Sequence, residues 1–318
     1  MTANVLHSCF KCASSAFVEI DQKNFLCKSC FTGRIEKRVH KTIARNHLIV
    51  NGDRVAVGLS GGKDSVVLLH ILRRLKDALG IQVFAVIVDE GIEEYRGEGI
   101  KIALSHAESL GIPSRVYSYA ALYQSTLDRM VNLKPFGKTS CAICGTFRRK
   151  ALNLGAKEFA ATVLATGHNK DDEAQTILLN LLRGDRKRFS KPLHATKRDG
   201  SKFVVKVKPL IDVTQPEVVY YAIANNLEFH DQECPYAHQA RRNSIKQFLF
   251  EQEKLFHGTI TNILRIHESI SERESLGDPN LPIGDCEVCG DPTDSVNQVC
   301  SGCRFLEEME NLERLPVV

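Results

Sequence analysis

The sequence predicts an α/β fold: a doubly wound parallel sheet flanked by a small cysteine-rich ribbon at each end of the chain. Segments of strand and helix character alternate along the middle of the chain, and this order is typical of a parallel sheet covered by helices on both faces. Cys-x2-Cys pairs occur twice near the N-terminus and twice near the C-terminus. We therefore expect an N-terminal ribbon at residues 1–32, a central domain with a helical C-terminal part at 33–275, and a C-terminal ribbon at 284–318.

Length and composition limit the class of protein. A chain of 318 residues allows one main core with smaller appendages. The formal net charge of +4 is compatible with an RNA partner but does not require one. The N-terminus lacks a signal-peptide pattern, and no apolar run approaches the ~20 residues of a membrane span. We therefore expect a cytoplasmic protein without a membrane partner, whose eleven cysteines stay reduced and serve metals.

Eight of the eleven cysteines form two four-thiolate sets with the spacing of structural zinc sites. Fourteen residues separate the two pairs of the first set, and ten separate those of the second. So short a ribbon buries too little apolar surface to offset chain entropy, and we expect one tetrahedral Zn²⁺ in each. Free thiols and redox-active pairs are the alternatives. The first set is Cys9, Cys12, Cys27 and Cys30, and the second is Cys286, Cys289, Cys300 and Cys303.

Hydrophobic periodicity and turn residues place the elements in chain order. The predicted strands are 54–59, 82–88, 114–119 and 161–166. The predicted helices are 33–50, one that begins at Lys63 or Asp64, 96–110, 177–182, 215–225, 237–275 and an acidic, solvent-facing helix at 307–313. A Pro- and Gly-containing linker at 277–284 precedes the second ribbon. Ligands of such a sheet bind at the carboxyl ends of its strands.

A glycine turn follows the first strand of the sheet, in the sequence Ser60-Gly61-Gly62-Lys63-Asp64-Ser65. Adjacent glycines let backbone N–H groups approach an anion, and the dipole of the next helix favours its negative charge. The turn lacks the four-residue spacing of a Walker A loop, so γ-phosphate transfer is not expected. The turn therefore predicts a nucleotide-phosphate site, and a turn without a ligand is the alternative.

This turn resembles the PP-loop, S-G-G-x-D-S, of the ATP pyrophosphatases, which split ATP to AMP and pyrophosphate to adenylate a substrate oxygen. The resemblance implies an adenine-nucleotide α-hydrolase-like domain in which Lys63 stabilises the departing pyrophosphate. It also implies a set of ATP-binding residues at the ends of the first two strands. That set is Gly58, Ser60, Gly61, Gly62, Asp64, Ser65 and Asp89.

A second turn, Gly167-His168-Asn169-Lys170-Asp171-Asp172, follows the strand at 161–166. It resembles the G-H-N-x-D-D element of the tRNA-modifying branch of the PP-loop enzymes. The resemblance implies that Gly167 lies beside the nucleotide and that Asp171 or Asp172 approaches the reacting phosphate through Mg²⁺. Capping of the next helix is the alternative role of either aspartate, and His168 can equally be structural.

Three cysteines remain outside the two ribbons: Cys141, Cys144 and Cys234. Three thiolates can hold three irons of a [4Fe–4S] cluster and leave the fourth iron open. The combination of ribbon, PP-loop, Cys-x-x-Cys-Gly, Gly-His-Asn turn, Cys-Pro and second ribbon resembles the TtuA/NcsA group of tRNA 2-thiouridine synthetases. The resemblance implies that these cysteines bind the cluster, that its open iron carries a hydrosulfide, and that Arg148 is a basic nucleotide contact. The family often has Lys at that position.

The resemblance implies a reaction in which ATP adenylates uridine O2 and sulfide then displaces AMP at C2. It implies tRNA as substrate, sulfide or a ubiquitin-like sulfur carrier as donor, and a homodimer or a heterodimer with a paralogue. The target uridine is either the wobble base or one in the TΨC arm. A basic run after residue 182 either contacts tRNA phosphates or is simply solvated: Arg183, Arg186, Lys187, Arg188, Lys191, Lys197 and Arg198.

Three alternatives stay open at the level of the sequence. The same thiolation could use a cysteine persulfide and a disulfide step without a cluster. An ATP-dependent ligase acting on an amine would have no use for Cys141, Cys144 and Cys234. A zinc-ribbon RNA-binding scaffold with a degenerate nucleotide fold would form no AMP or pyrophosphate, and the intact turn at 60–65 argues against it.

Overall fold

The computed structural model describes residues 7–21, 23–133, 137–194, 203–239, 242–274 and 284–314. Lys197, Arg198 and most of the linker at 277–284 lie outside these ranges. Within them, no helix is both long and apolar enough to cross a membrane.

The central sheet has five parallel strands in the order β5-β4-β3-β6-β7. The prediction of a doubly wound parallel sheet is therefore confirmed. The strands are β3 (Arg54–Gly58), β4 (Gln82–Asp89), β5 (Ser114–Ser118), β6 (Val163–Ala165) and β7 (Val205–Val207). Two-stranded hairpins lie in the ribbons, with β1 (Val18–Asp21) and β2 (Asn24–Leu26) in the first and β8 (Gly284–Asp285) and β9 (Pro292–Thr293) in the second.

Several helices agree with the hydrophobic pattern, but the expectation that the acidic helix at 307–313 faces solvent is wrong, because it belongs to a longer helix that buries Phe305 and Met309. The helices in chain order are α1 (Lys28–Arg45), α2 (Lys63–Leu79), α3 (Arg96–Ser109), α4 (Tyr119–Tyr123), α5 (Leu127–Leu133), α6 (Ser140–Glu158), α7 (Lys170–Leu182), α8 (Arg186–Phe189), α9 (Gln215–Ala224), α10 (Arg242–Leu255), α11 (Thr259–Glu274) and α12 (Ser301–Arg314). A short 3₁₀ turn lies at Ala237–Gln239.

Alternating residues of the central strands build a core on each face of the sheet. In β3, Val55 and Val57 pack with α1, α2, α3 and α9, whereas Ala56 packs with α4, α5, α6 and α12. A strand buried on both faces is apolar at nearly every position, and this explains the continuous run in β4. A third, smaller core joins α7, α10 and α11.

Several boundaries differ from the sequence-based expectation. The predicted boundary at 32/33 lies inside α1, because the last cysteine pair of the first ribbon runs directly into that helix, with Cys27 as its N-cap. The described residues 242–274, predicted as part of one helical region, form two helices, because the chain breaks at Gly258, which has a positive φ of 96°. Strand β7 was not predicted, because three edge residues give too short a pattern.

The order of the strands creates a switch point beside β3. The chain passes from β3 outward to β5, and then returns to place β6 on the opposite side of β3. The helices that leave β3 and β6 therefore diverge, and a crevice opens at the carboxyl ends of these two strands. Both turns singled out in the sequence, 60–65 and 167–172, lie at this crevice.

Candidate active site

The glycine turn joins β3 to α2, and Gly62 is the N-cap of that helix. Gly61 has a φ of 85°, and a Cβ there would lie 2.1 Å from the carbonyl oxygen of Gly99. Glycine is therefore required at this position by both conformation and space. The first backbone N–H groups of α2 have no intrahelical acceptors, so they are available to an anion at the positive end of the helix dipole.

Two serine hydroxyls hold the shape of this turn. Ser65 Oγ accepts a hydrogen bond from Ser60 N (3.0 Å) and donates to Gly62 O (2.9 Å), and it lies 3.0 Å from Ser60 Oγ. Ser65 is buried, so its contacts brace the turn from inside. Direct contact of either serine with ATP stays a prediction.

The second turn packs directly on the start of α2. A Cβ at Gly167 would lie 2.8 Å from the backbone carbon of Asp64 and 2.9 Å from the backbone nitrogen of Ser65. Asn169, which is buried, donates from Nδ2 to Asp64 Oδ1 at 2.8 Å. His168 contacts Thr166 Oγ1 through Nδ1 (2.9 Å). The two turns thus form one rigid edge of the crevice.

The two neighbouring aspartates of the second turn have different surroundings. Asp171 Oδ2 accepts from the backbone N–H of Gln215 (2.8 Å), so this carboxylate faces α9. Asp172 closes a capping box with Asn169, in which Asp172 Oδ2 accepts from Asn169 N (3.2 Å). The capping alternative therefore describes Asp172 in this structure. Its other oxygen, Oδ1, lies 3.9 Å from Arg242 Nη1.

Asp64 and Asp172 both hydrogen-bond with Asn169, one from each turn. Burial raises the pKa of Asp172, and the negative charge of Asp64 raises it further. Lys63 Nζ lies 3.0 Å from Asp64 Oδ2, which leaves the pair only partly neutralised. Asp64 and Asp172 place carboxylate oxygens beside both turns, and Mg²⁺ prefers oxygen ligands of this kind.

A cleft of about 450 Å³ opens beside the end of β4. Its lining includes Asp89, Ile92, Arg96, Ile100 and Asp128. Asp89 Oδ1 accepts from Gly91 N (2.9 Å), which fixes the turn after the strand. This volume lies within the usual range for small-molecule sites.

The three cysteines outside the ribbons lie in one neighbourhood. Cys141 and Cys144 lie near the start of α6, three residues apart, and therefore on one side of the helix. Burial raises the pKa of Cys144 and of Cys234, and Cys234 raises that of Cys144 while Cys141 raises that of Cys234. All three are free thiols. Three sulfur donors in a half-buried corner fit a three-cysteine [4Fe–4S] site.

The loop that carries Cys234 is bound to the glycine turn. The backbone N–H of His230 donates to Gly61 O at 2.9 Å. The ring of His230 packs edge-on against Tyr95, with ring centroids 4.9 Å apart. Sequence reasoning assigned His230 no role, because a backbone contact leaves no residue signature.

Arg148 contacts the cysteine site and a buried acid. Its Nη2 lies 3.2 Å from Cys144 Sγ, and its Nε donates to Glu90 Oε1 at 2.7 Å. Glu90 is 3% exposed. Sequence reasoning gave Glu90 no role, and the only available signal was its place next to Asp89 at a strand end. The predicted contact of Arg148 with the nucleotide stays a prediction.

Within the described residues, the two four-cysteine sets are the groups whose metal-binding atoms all lie within 4.8 Å of one another. Sγ atoms lie 3.6 Å apart for Cys12 and Cys27, and 3.8 Å apart for Cys286 and Cys303. Four thiols this close suit one tetrahedral Zn²⁺. The sulfurs of an iron–sulfur cubane are spaced more widely, since each binds a different iron.

A lysine from α6 reaches the second ribbon. Lys150 Nζ lies 2.5 Å from Asp291 Oδ2, 3.2 Å from Cys289 Sγ and 3.4 Å from Cys300 Sγ. A positive charge beside four thiolates offsets part of the negative charge that they retain around zinc. Helix α6 therefore carries Cys141 and Cys144 and also contacts the second ribbon.

Basic residues of α6 and β7 lie near others from the basic run after residue 182. Lys206, on β7, is half-buried, and burial together with Arg149 and Lys191 lowers its pKa to about 8. Burial lowers the pKa of Arg149, and the positive charge of Arg188 lowers it further. We call Arg149, Arg188, Lys191 and Lys206 the basic patch. Part of the basic run predicted after residue 182 thus meets α6 and β7.

The chain is similar in sequence to a known protein family and to several of its members. The family model described as "PP-loop domain" matches residues 32–253. The chain belongs to the PP-loop family. The tRNA 2-thiolation protein NcsA of Haloferax volcanii is 36% identical over 322 residues, which cover 95% of this chain and 99% of that protein. Cytoplasmic tRNA 2-thiolation protein 1 of Caenorhabditis elegans is 37% identical over 285 residues, covering 89% of this chain and 74% of the relative.

A solved PP-loop structure matches nearly the whole chain. It is the U34-tRNA thiolase NcsA from Methanococcus maripaludis with its [4Fe-4S] cluster. The TM-score is 0.79 at 30% sequence identity, and the match covers 97% of each chain. The predicted place among the TtuA/NcsA-type tRNA 2-thiouridine synthetases, and with it the predicted PP-loop fold class, is confirmed.

Proposed function

We propose that this PP-loop protein is an ATP-dependent tRNA uridine 2-sulfurtransferase that obtains sulfur through a three-cysteine [4Fe–4S] site. The observation that carries the proposal is the 2.9 Å hydrogen bond from His230 N to Gly61 O, because it holds the Cys234 loop against the nucleotide turn. The names of the Haloferax and Caenorhabditis relatives support tRNA 2-thiolation. The Methanococcus structure carries a cluster of this type.

ATP activates the uridine in the first half of the reaction. Uridine O2 attacks the α-phosphorus, the bond to the β-phosphate oxygen breaks, and pyrophosphate leaves. The N–H groups at the start of α2 and the ammonium group of Lys63 stabilise the departing charge. Asp64 and Asp172 would hold Mg²⁺, which would offset negative charge on the phosphates, and the cleft at Asp89 would receive the nucleoside part of ATP.

Sulfur replaces the adenylated oxygen in the second half. Cys141, Cys144 and Cys234 would hold the cluster, and a cluster bound by three thiolates leaves one iron open to an exogenous sulfur ligand. Sulfide attacks C2 of the uridine, and AMP departs with the former O2. Arg148 contributes a hydrogen bond to the Cys144 sulfur and so stabilises its thiolate form. The persulfide route needs the same residues without iron, and metal analysis separates the two.

The basic patch is suited to the phosphate backbone of tRNA beside the cysteine site. The Methanococcus thiolase acts on U34, so we propose the wobble uridine as the target. The donor is sulfide or a ubiquitin-like sulfur carrier. Zinc in both ribbons would stabilise these two short segments. We propose a cytoplasmic location, as the name of the Caenorhabditis relative states for that protein.

A second subunit has a suitable surface on the C-terminal helices. Large apolar side chains of α10 and the residue that follows it are about half exposed or more: Phe248, Phe250, Leu255 and Phe256. Phe248 and Leu255 are seven positions apart and so lie on one side of α10, and exposed apolar side chains on one helix face can mark an interface. We propose that a second copy or a paralogue packs there. Light scattering of wild type and Phe256→Ser tests it, and unchanged mass would exclude this surface.

The experiment that tests the function is thiolation of tRNA by anaerobically purified protein. The protein is incubated with ATP, sulfide and unmodified tRNA, and the nucleosides are analysed by mass spectrometry. We expect 2-thiouridine at position 34 and one AMP for each thiouridine. Cys234→Ser should abolish the product. The control is Cys12→Ser, which removes a zinc ligand of the first ribbon but keeps the three cysteines proposed for the cluster. Absence of thiouridine from a protein with a loaded cluster would exclude the reaction.

A further inference from the structure

Glu90 is a buried carboxylate between two arginines. It follows Asp89 at the end of β4 and is 3% exposed. Arg148 Nε lies 2.7 Å from Glu90 Oε1, and Arg96 Nε lies 2.6 Å from Glu90 Oε2. The Arg96 contact is an ion pair without a hydrogen bond, because Arg96 Nε–H donates to Val88 O at 2.8 Å. One buried negative charge therefore orients two cations.

The two arginines extend to the two halves of the active site. Arg96 Nη1 donates to Ser60 O, in the nucleotide turn, at 2.6 Å. Arg148 Nη2 lies 3.2 Å from Cys144 Sγ, in the sulfur site. Ser60, Arg96, Glu90, Arg148 and Cys144 thus form a continuous series of polar contacts, which we call the Glu90 relay.

The relay has little freedom to rearrange. Arg96 is 7% exposed and also donates from Nη2 to Val88 O at 2.6 Å. Gly99 packs so closely that a Cβ there would lie 2.8 Å from Arg96 Nη1 and 3.1 Å from Ser60 O. Glu90 and Arg96 are buried, so solvent screens the interaction between them weakly, whereas the Arg148 side chain is half exposed and its interaction with Glu90 is screened more.

We propose that Glu90 is a positioning residue that couples nucleotide binding at the turn to cluster binding, and to the reduction potential of the cluster, at the cysteine site. Negative phosphate charge at the turn is partly balanced by the fixed positive charge of Arg96, so more of the Glu90 charge is left to Arg148. The strength of the hydrogen bond from Arg148 to Cys144 changes in response. The coupling is reciprocal, since a site that alters the affinity of another is altered by it to the same degree. This inference rests on the proposed function, because it requires a cluster at the cysteines.

The test measures the affinity of α,β-methylene-ATP for the full-length protein with its cluster and for the same preparation after cluster removal. Wild type should show a ratio of the two dissociation constants of roughly fivefold or more. Glu90→Gln removes the charge while keeping the shape and should bring the ratio close to one. Glu98→Gln, on the exposed side of α3, is the matched control and should keep the wild-type ratio.

A second readout does not depend on nucleotide affinity. The reduction potential of the cluster should shift when the ATP analogue binds to wild type, because hydrogen bonds to cluster thiolates tune that potential. The shift should be absent in Glu90→Gln. If Glu90→Gln does not fold, Glu90→Asp keeps the charge but is one methylene too short to reach both arginines, and its ratio should fall at least twofold.

The outcomes separate this inference from the proposed function. A wild-type ratio of one, or a Glu90 variant that folds and keeps the wild-type ratio and potential shift, overturns the relay and leaves thiolation intact. A wild-type protein that binds no iron overturns both. If the ratio of the two dissociation constants also falls to about one in Glu98→Gln, the assignment to Glu90 is wrong.

Discussion

Asn169 joins the two nucleotide turns: its side-chain amide donates a 2.8 Å hydrogen bond to Asp64 Oδ1. The same side chain caps α7, because its Oδ1 accepts from Asp172 N at 3.0 Å. One buried residue therefore stabilises a helix and fixes the direction of a carboxylate on the neighbouring turn.

Replacement of Asn169 separates these two roles. Serine can cap the helix but cannot reach Asp64, so Asn169→Ser should keep the cap and lose about 1.5 kcal/mol of the free energy of unfolding through the missing hydrogen bond. Its affinity for Mg²⁺·ATP should fall by about tenfold, as expected for a lost hydrogen bond to a charged group. Asn169→Ala should lose that affinity and a further ~1 kcal/mol of stability. Urea unfolding and nucleotide titration measure both, and wild-type affinity in Asn169→Ser would contradict the role at Asp64.

Gly167→Ala should separate the two turns, because its Cβ has no room against the backbone of Asp64 and Ser65. We expect loss of ATP-dependent pyrophosphate release by more than tenfold. Gly33→Ala is the matched control, since a Cβ at that position of α1 meets nothing within 4 Å. The control should be stabilised by roughly 0.5–1 kcal/mol, the usual gain for alanine over glycine in a helix. Equal activity in the two variants would contradict the close approach.

Lys150→Met should weaken zinc in the second ribbon only. The substitution removes a charge beside Cys289 and Cys300 while keeping the length of the side chain. Loss of such an outer contact typically costs 10- to 100-fold in metal affinity, so one of two zinc ions should be removed at a lower chelator concentration. The first ribbon is the internal control, and Lys157→Met, exposed on the same helix, controls for loss of charge. Simultaneous release of both ions would contradict the assignment.

The affinity for tRNA should fall as pH rises through the pKa of Lys206. That pKa is lowered to about 8, so the side chain is charged below this pH and loses its charge above it. Between about pH 7 and about pH 9, wild type should lose affinity, whereas Lys206→Arg keeps its charge and should lose less. Fluorescence anisotropy at fixed ionic strength measures this, and parallel pH profiles would exclude Lys206 from the tRNA contact.

The sequence was sufficient for the features that depend on local pattern. Strand β3, a helix that begins at Lys63 or Asp64 and the two cysteine sets all follow from periodicity and spacing, and the structure places the helix start at Lys63. A glycine turn between a buried strand and an apolar helix has few alternative structures, so the switch-point location of 60–65 followed from the α/β alternation.

The contacts between distant segments could not be read in this way. Glu90 with Arg148, His230 with Gly61 and Lys150 with the second ribbon are separated by 58, 169 and up to 150 positions along the chain. Only packing of α6 and of the Cys234 loop brings them together. The first ribbon shares α1 with the central domain for a related reason, since a metal-holding turn can also start a helix.

The most direct test of the central claim is the iron and sulfide content of anaerobically purified wild type and of Cys141→Ser, Cys144→Ser and Cys234→Ser, with zinc measured in the same samples. The proposal predicts ~4 irons per chain in wild type, strong loss of iron in each variant, and unchanged zinc. Wild-type protein that forms 2-thiouridine without iron, or variants that retain their iron, would contradict it.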